Sequence, residues 1–109
     1  MAQDFERRTL PQVGTVATAL GAAFDSDDAI ISIRIANVTS GTVTADCYIY
    51  NGSANIYLVK GISIPTGSSV ELIDGASRFV VQNNDRMYFV SDTASALDVW
   101  VSAVDSIST

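Results

Sequence analysis

From Ala29 to Tyr50 the chain alternates apolar and polar side chains in two successive runs. Ile31, Ile33 and Ile35 alternate with Ser32, Arg34 and Ala36; Val43, Ala45, Cys47 and Ile49 alternate with Thr44, Asp46, Tyr48 and Tyr50. Successive strand side chains point to opposite faces, so each run predicts a strand with one apolar face and one wetter face. Thr39-Ser40-Gly41 between them is short and carries a glycine, which predicts a hairpin pairing the two strands with each other.

Further strands follow at regular spacing. Val13 to Leu20 reads as a weak first strand, and Gly21 to Asp28 as a break. Asn51-Gly52 is a strong hairpin signal before Asn55–Ile64, where Ile56, Leu58, Ile62 and Ile64 share one parity. Lys60 falls on that same parity beside Gly61, which predicts a bulge that re-aims it. Pro65-Thr-Gly-Ser68 is a turn before a short strand with Val70 and Leu72 inward and Glu71 outward. After a turn at Asp74-Gly75, Phe79 and Val81 share a side, as do Met87 and Phe89 beyond Gln82–Asp85. In Ala96–Val104, Leu97, Val99, Val101 and Ala103 face one way and Asp98, Trp100 and Ser102 the other. No stretch keeps a 3.6-residue period. The pattern predicts an all-β fold, a single antiparallel β-sandwich of about eight strands, jelly-roll or Greek-key in type, over residues 13–109. Residues 1–12 do not alternate apolar with polar; Phe5 stands among Asp4, Glu6, Arg7 and Arg8, and Pro11 closes the segment. This reads as an extended N-terminal arm, either frayed or laid on a neighbouring subunit with Phe5 as anchor.

Composition narrows the function. Of 109 residues, 48% are hydrophobic and 17% charged, a folded composition for one domain. The net charge of −6, with 6 Lys and Arg against 12 carboxylates, argues against nucleic acid or an anionic membrane as partner. The first eight residues lack a signal-peptide core, which predicts a chain that stays, or assembles, in the cytoplasm where it is made. Cys47 is the one cysteine and lies on the apolar parity, so it reads as a small buried hydrophobe. With no histidine, no Ser-His-Asp or Cys-His arrangement is possible, and no cysteine set can hold zinc. Asp25-Ser-Asp-Asp28 lacks the Gly and Glu of an EF-hand loop and reads as a solvated turn rather than a calcium site. Glu6 and Glu71 are the only glutamates, and most aspartates sit in turns. No catalytic residue, cofactor or metal is expected, and the protein is read as not an enzyme.

What remains is surface. Tyr48, Tyr50 and Trp100 fall on the outward parity of their strands, and Tyr57 joins them if the bulge lies after it. Amphipathic aromatics concentrate at protein contacts. The same residues could be covered by the arm or a loop of their own chain, or could stack on sugars.

Three phrases carry a resemblance: Ile33-Arg-Ile-Ala-Asn-Val-Thr39, Ile64-Pro-Thr-Gly-Ser-Ser-Val-Glu-Leu-Ile-Asp-Gly75 and Ala94-Ser-Ala-Leu-Asp-Val-Trp-Val-Ser102. With the opening Met1-Ala-Gln-Asp-Phe-Glu-Arg-Arg8 they resemble small virion structural proteins of tailed bacteriophages, marine and cyanobacterial ones in particular. Where those proteins have a Pro-containing phrase before the central strand, this chain has Gly21-Ala-Ala-Phe-Asp-Ser-Asp27. The resemblance implies a non-catalytic β-sandwich in the virion, assembled in the host cytoplasm. The expected role is a capsid decoration or cement protein, a homo-oligomer with a trimer favoured, bound to the major capsid protein. Its expected contacts are Phe5, Arg7 and Arg8 in the arm and Tyr48, Tyr50 and Trp100 on the sheet. The alternatives are a neck or tail ring or sleeve on portal or tail subunits, and a receptor- or glycan-binding module.

Overall fold

The computed structural model of the chain describes residues 4–24, 27–73 and 79–105. Among these are nine strands and no helix: β1 (Asp4–Val13), β2 (Thr18–Ala19), β3 (Asp28–Asn37), β4 (Val43–Tyr50), β5 (Asn55–Ile64), β6 (Ser69–Glu71), β7 (Phe79–Val81), β8 (Arg86–Ser91) and β9 (Leu97–Asp105). They form two antiparallel sheets. Sheet A runs β1-β9-β3-β6, with β7 also on β3, and sheet B runs β2-β8-β4-β5. The order follows from one long ribbon folded back on itself. Residue 4 pairs with 105 at the open end and residue 50 with 55 at the tip, with β2 on β8 and β3 on β6 and β7 between. Wrapping that ribbon brings β9 onto β3 and β8 onto β4, which closes both sheets as a jelly roll. The expected all-β sandwich is therefore what the chain forms.

Four local expectations are corrected. The first is the Thr39-Ser40-Gly41 link, which does not make a hairpin: β3 belongs to sheet A and β4 to sheet B. The link is held by Asn37, which is 3% exposed. Its side-chain N–H groups donate to the Gly41 carbonyl (2.8 Å) and the Ile64 carbonyl (2.9 Å), and its Oδ1 accepts from Thr39 N and Thr39 Oγ1 (both 2.8 Å). A buried amide meeting four partners bends the chain from one sheet to the other and ties it to the end of β5.

The second correction concerns the expected arm, residues 1–12: its described part, from residue 4 on, is not separate from a domain beginning at residue 13. From Asp4 onward they are β1, one strand more than the eight expected, in register with β9. Its inward positions are Glu6, Arg8 and Leu10, so no apolar alternation marks it. Backbone pairing places it instead, with Pro11 tolerated at an edge where the register breaks between Leu10 and Val13. Third, the strand expected over residues 13–20 shrinks to Thr18–Ala19. The chain leaves β1 at Gly14, where a Cβ would lie 3.2 Å from the Ser95 nitrogen, and bends at Thr15 and Val16. The fourth concerns Ile31, which does not share a face with Ile33 and Ile35. A register shift between Ile30 and Ser32 buries Ile30 and leaves Ile31 half-buried on the other side.

Other expectations hold. Asn51-Gly52 closes the β4–β5 hairpin, with Gly52 at φ 97°. The register of β5 on β4 shifts twice beyond Tyr57, once between Tyr57 and Val59 and once between Val59 and Ile62; at the second, Gly61 takes φ 70°, its N–H donates to Asp46 Oδ1 at 2.6 Å, and Lys60 turns outward over the Tyr57 ring. The Asp74-Gly75 turn and Asp25-Ser26 lie outside the described residues.

The core joins the inner faces of both sheets: Ile30, Ile33, Ile35, Val99 and Val101 from sheet A, Val43, Ala45, Cys47, Met87 and Phe89 from sheet B. Cys47 sits within it, and burial pushes its thiol pKa far up. Phe24 and Leu20 fill the end near β1.

Candidate functional site

The large exposed apolar and aromatic side chains lie on the outer faces and edges of the sheets. On sheet A the register aligns Val80, Ala29, Val104 and Phe5 in one row across β7, β3, β9 and β1. All four are apolar. Phe5 is 82% exposed and Val80 53%. Directly opposed side chains on a sheet share a face, so this is a continuous apolar band across the sheet. Beside it, Arg7 pairs with Ser102, and its guanidinium stands 5.1 Å from the Trp100 ring centroid. The bulge adds Ile31 to the same surface, and Phe5, Arg7, Ile31, Trp100 and Ser102 together line a shallow depression.

On sheet B the register aligns Ala19, Tyr88, Tyr48 and Tyr57 across β2, β8, β4 and β5. Tyr48 stacks on Tyr88 (centroids 5.2 Å, planes 11° apart) and leans on Tyr57 (5.0 Å, 45°). Lys60 Nζ covers Tyr57 at 4.8 Å. The stacked Tyr48 and Tyr88 faces are turned toward each other, and Lys60 takes a face of Tyr57. Burial raises the Tyr48 phenol pKa above its ordinary value, reinforced by Tyr57 and Tyr88. A raised folded-state value means the protonated phenol is favoured by folding. That contribution is complete below the unfolded value near 10 and is lost as pH rises through the folded value. Replacing Tyr48 with Phe is expected to flatten the alkaline fall in stability, read as the urea midpoint against pH.

The six residues expected at contacts thus divide. Phe5, Arg7 and Trp100 come together on sheet A; Tyr48 and Tyr50 lie on sheet B, where the Tyr50 hydroxyl donates to the Gly52 carbonyl at 3.2 Å. Arg8 joins neither surface. It turns inward, stacks 4.2 Å over the buried Phe24 and donates to the Leu20 (3.1 Å) and Ala22 (2.7 Å) carbonyls, closing the sandwich at that end. Val80, Val104 and Tyr88 were legible from parity alone, whereas Ile31 is outward only because of the bulge.

Glu71 is also accounted for. Its carboxylate accepts from Ser32 Oγ and Ile33 N, each at 2.7 Å, and lies 3.8 Å from Arg34. It satisfies β3 backbone beside β6. The Asp92 carboxyl is held below the ordinary range by the Thr44 backbone N–H and then by Thr93. These are turn and edge roles.

No protein-family model matches the chain, and no curated protein matches it by sequence. Among solved structures it is similar to a chain from Bacillus endospore appendages, described as a novel family of disulfide-linked pili. The TM-score is 0.54 at 21% identity, over 98% of this chain and 88% of that one. At that identity the likeness is one of fold, and it agrees with the all-β architecture.

Proposed function

We propose that the chain is a structural subunit of a phage virion, a capsid decoration protein that docks on the shell through the outer face of sheet A. The observation that carries this is the apolar row Val80, Ala29, Val104 and Phe5, flanked by Ile31 and by Trp100 under Arg7. Exposed apolar bands with aromatic and Arg anchors are typical of binding surfaces, and three of the residues expected from the sequence fall on this one. The resemblance in the three strand-and-turn phrases supplies the particle.

A second reading, a subunit of an appendage or tail assembly, is favoured by the pilus neighbour. Cys47 is the one cysteine and is buried, so covalent linkage through disulfides is not open to the folded chain. Such an assembly would have to be held by non-covalent contacts.

Co-sedimentation with purified capsids tests the proposal. The wild-type protein is expected to pellet in a fixed ratio to the shell subunit. The Phe5→Ser/Trp100→Asp double variant, altered only at exposed sites, is expected to stay in the supernatant while melting within a few degrees of wild type. Equal pelleting of the variant would refute docking through sheet A.

A further inference from the structure

We infer that β1 is an exchangeable strand: two copies of this chain assemble by each seating its β1 on the β9 of the other. The inference goes beyond the docking face of sheet A and does not depend on it.

Among the described strands β1 pairs with β9 alone, at the edge of sheet A. None of residues 5–10 is fully buried, and along the chain the buried core begins at Val13. Of the inward positions Glu6, Arg8 and Leu10, two are charged. Residues 4–10 can therefore leave without taking a core side chain with them. What they leave behind does not stay bare at no cost. β9 keeps unpaired backbone groups beside the buried Val99, Val101 and Ala103, and Phe24 loses the guanidinium above its ring. That freed edge selects its occupant. A strand on β9 has to bring an arginine opposite Val101, where the Phe24 ring and the Leu20 and Ala22 carbonyls meet its guanidinium. The β1 of a second copy meets this requirement residue for residue, because the complementarity is the one the chain already shows with itself.

The joint between β1 and the core favours the exchange. Leu10 pairs with Val99 and Val13 with Leu97, so Pro11 and Gln12 together face Asp98. To stay on its own β9 the chain holds Gln12 at φ 50°, a left-handed conformation that a residue with a Cβ adopts at a cost. The Gln12 N–H donates to Asp98 Oδ1 at 2.9 Å, which latches the joint in that state. Moving Gln12 to extended backbone removes the cost, and the ring of Pro11 already fixes a φ that extended chain accepts. Leu10 and Val13 then stand up to roughly 10 Å apart, enough for β1 to cross to the edge of an adjoining copy. Every contact between β1 and β9 is made in both forms, so the strained joint weighs on the closed form alone. A short hinge under strain, joining an element that fits an identical copy, is a low-cost route to a dimer. Reciprocal exchange fills both freed edges and closes the assembly at two.

Mixed-chain crosslinking tests this. Glu6 lies opposite Ala103, and directly opposed Cα atoms of an antiparallel pair are about 4.5–5.5 Å apart, within disulfide reach. Ala103 is 4% exposed, so a thiol there meets only a strand seated on β9. Full-length Glu6→Cys chains are mixed with Ala103→Cys chains at high concentration, equilibrated and gently oxidised. A covalent heterodimer is expected in the mixture, well above any dimer in either variant alone. The Glu6→Cys/Ala103→Cys variant, oxidised at high dilution, should close the disulfide within one chain, which checks the register. Sedimentation velocity then reads the joint. Gln12→Gly, which accepts the left-handed conformation freely, is expected to raise the dimer dissociation constant about tenfold or more. Asp98→Ala, which releases the latch, is expected to lower it by a similar factor. Absence of the heterodimer while the double variant closes its own disulfide would overturn the inference. So would a dissociation constant unmoved by both joint variants, or a double variant that fails to close, which would remove the register on which the exchange rests.

Discussion

Replacing Asn37 with Asp is expected to lower folding stability by about 4 kcal/mol at neutral pH, measured by urea denaturation. The side chain is 3% exposed, and its two N–H groups lie 2.8 and 2.9 Å from the Gly41 and Ile64 carbonyls. An aspartate there turns two donated bonds into oxygen facing oxygen, away from water. Each buried polar group left without a partner costs roughly 1–3 kcal/mol, and burying a carboxylate adds to that. The pH dependence gives a second signature. Burial and the facing carbonyls raise the folded-state pKa of the introduced carboxyl, so its neutral form is the one compatible with folding. The deficit relative to wild type should therefore shrink as pH falls toward the unfolded carboxyl value of about 3.9 and grow as pH rises through the folded value. Asn37→Ser, which keeps a small donor, should lose less. A neutral Asn37→Asp variant would mean that the crossing between sheets is held by something other than this amide.

Phe24→Ala should cost a similar amount, about 4 kcal/mol, for a different reason. Phe24 is 1% exposed among Leu20 and its core neighbours, so its loss leaves a cavity. It also removes the ring beneath Arg8, whose guanidinium is 4.2 Å from the centroid. A desolvated cation–π contact contributes up to about 2 kcal/mol. Arg8 keeps its bonds to the Leu20 and Ala22 carbonyls in the variant, so the two terms can be separated. In a double-mutant cycle with Arg8→Met, a coupling of about 1–2 kcal/mol is expected. Coupling near zero would show that Arg8 is held by its hydrogen bonds alone.

These two residues show why the sequence was easier to read for strands than for pairing. Asn37 ends an alternating run and looked like the start of a hairpin, yet its amide serves a crossing between sheets. Arg8 stood in a charged, non-alternating opening and looked like a contact residue for another subunit. Its long side chain instead reaches inward over a ring sixteen positions later in the chain. Phe5, three positions earlier and on the opposite face, is 82% exposed.

The sequence by itself determined the all-β class, the buried face of most strands, the hairpin at Asn51-Gly52, the bulge beside Gly61 and the outward placing of Trp100 and Tyr48. Each of these follows from side-chain period or from the backbone freedom of one or two residues, which are local properties. The tertiary structure alone decided that β3 and β4 lie in different sheets, that β1 belongs to the sandwich, that Ile31 faces out, and that Phe5 and Trp100 meet on one surface. Strand partners are chosen by wrapping the whole ribbon, which sets residue 4 beside residue 105. Alternation tells a strand which side to bury, and carries no term for which distant strand completes its hydrogen bonds.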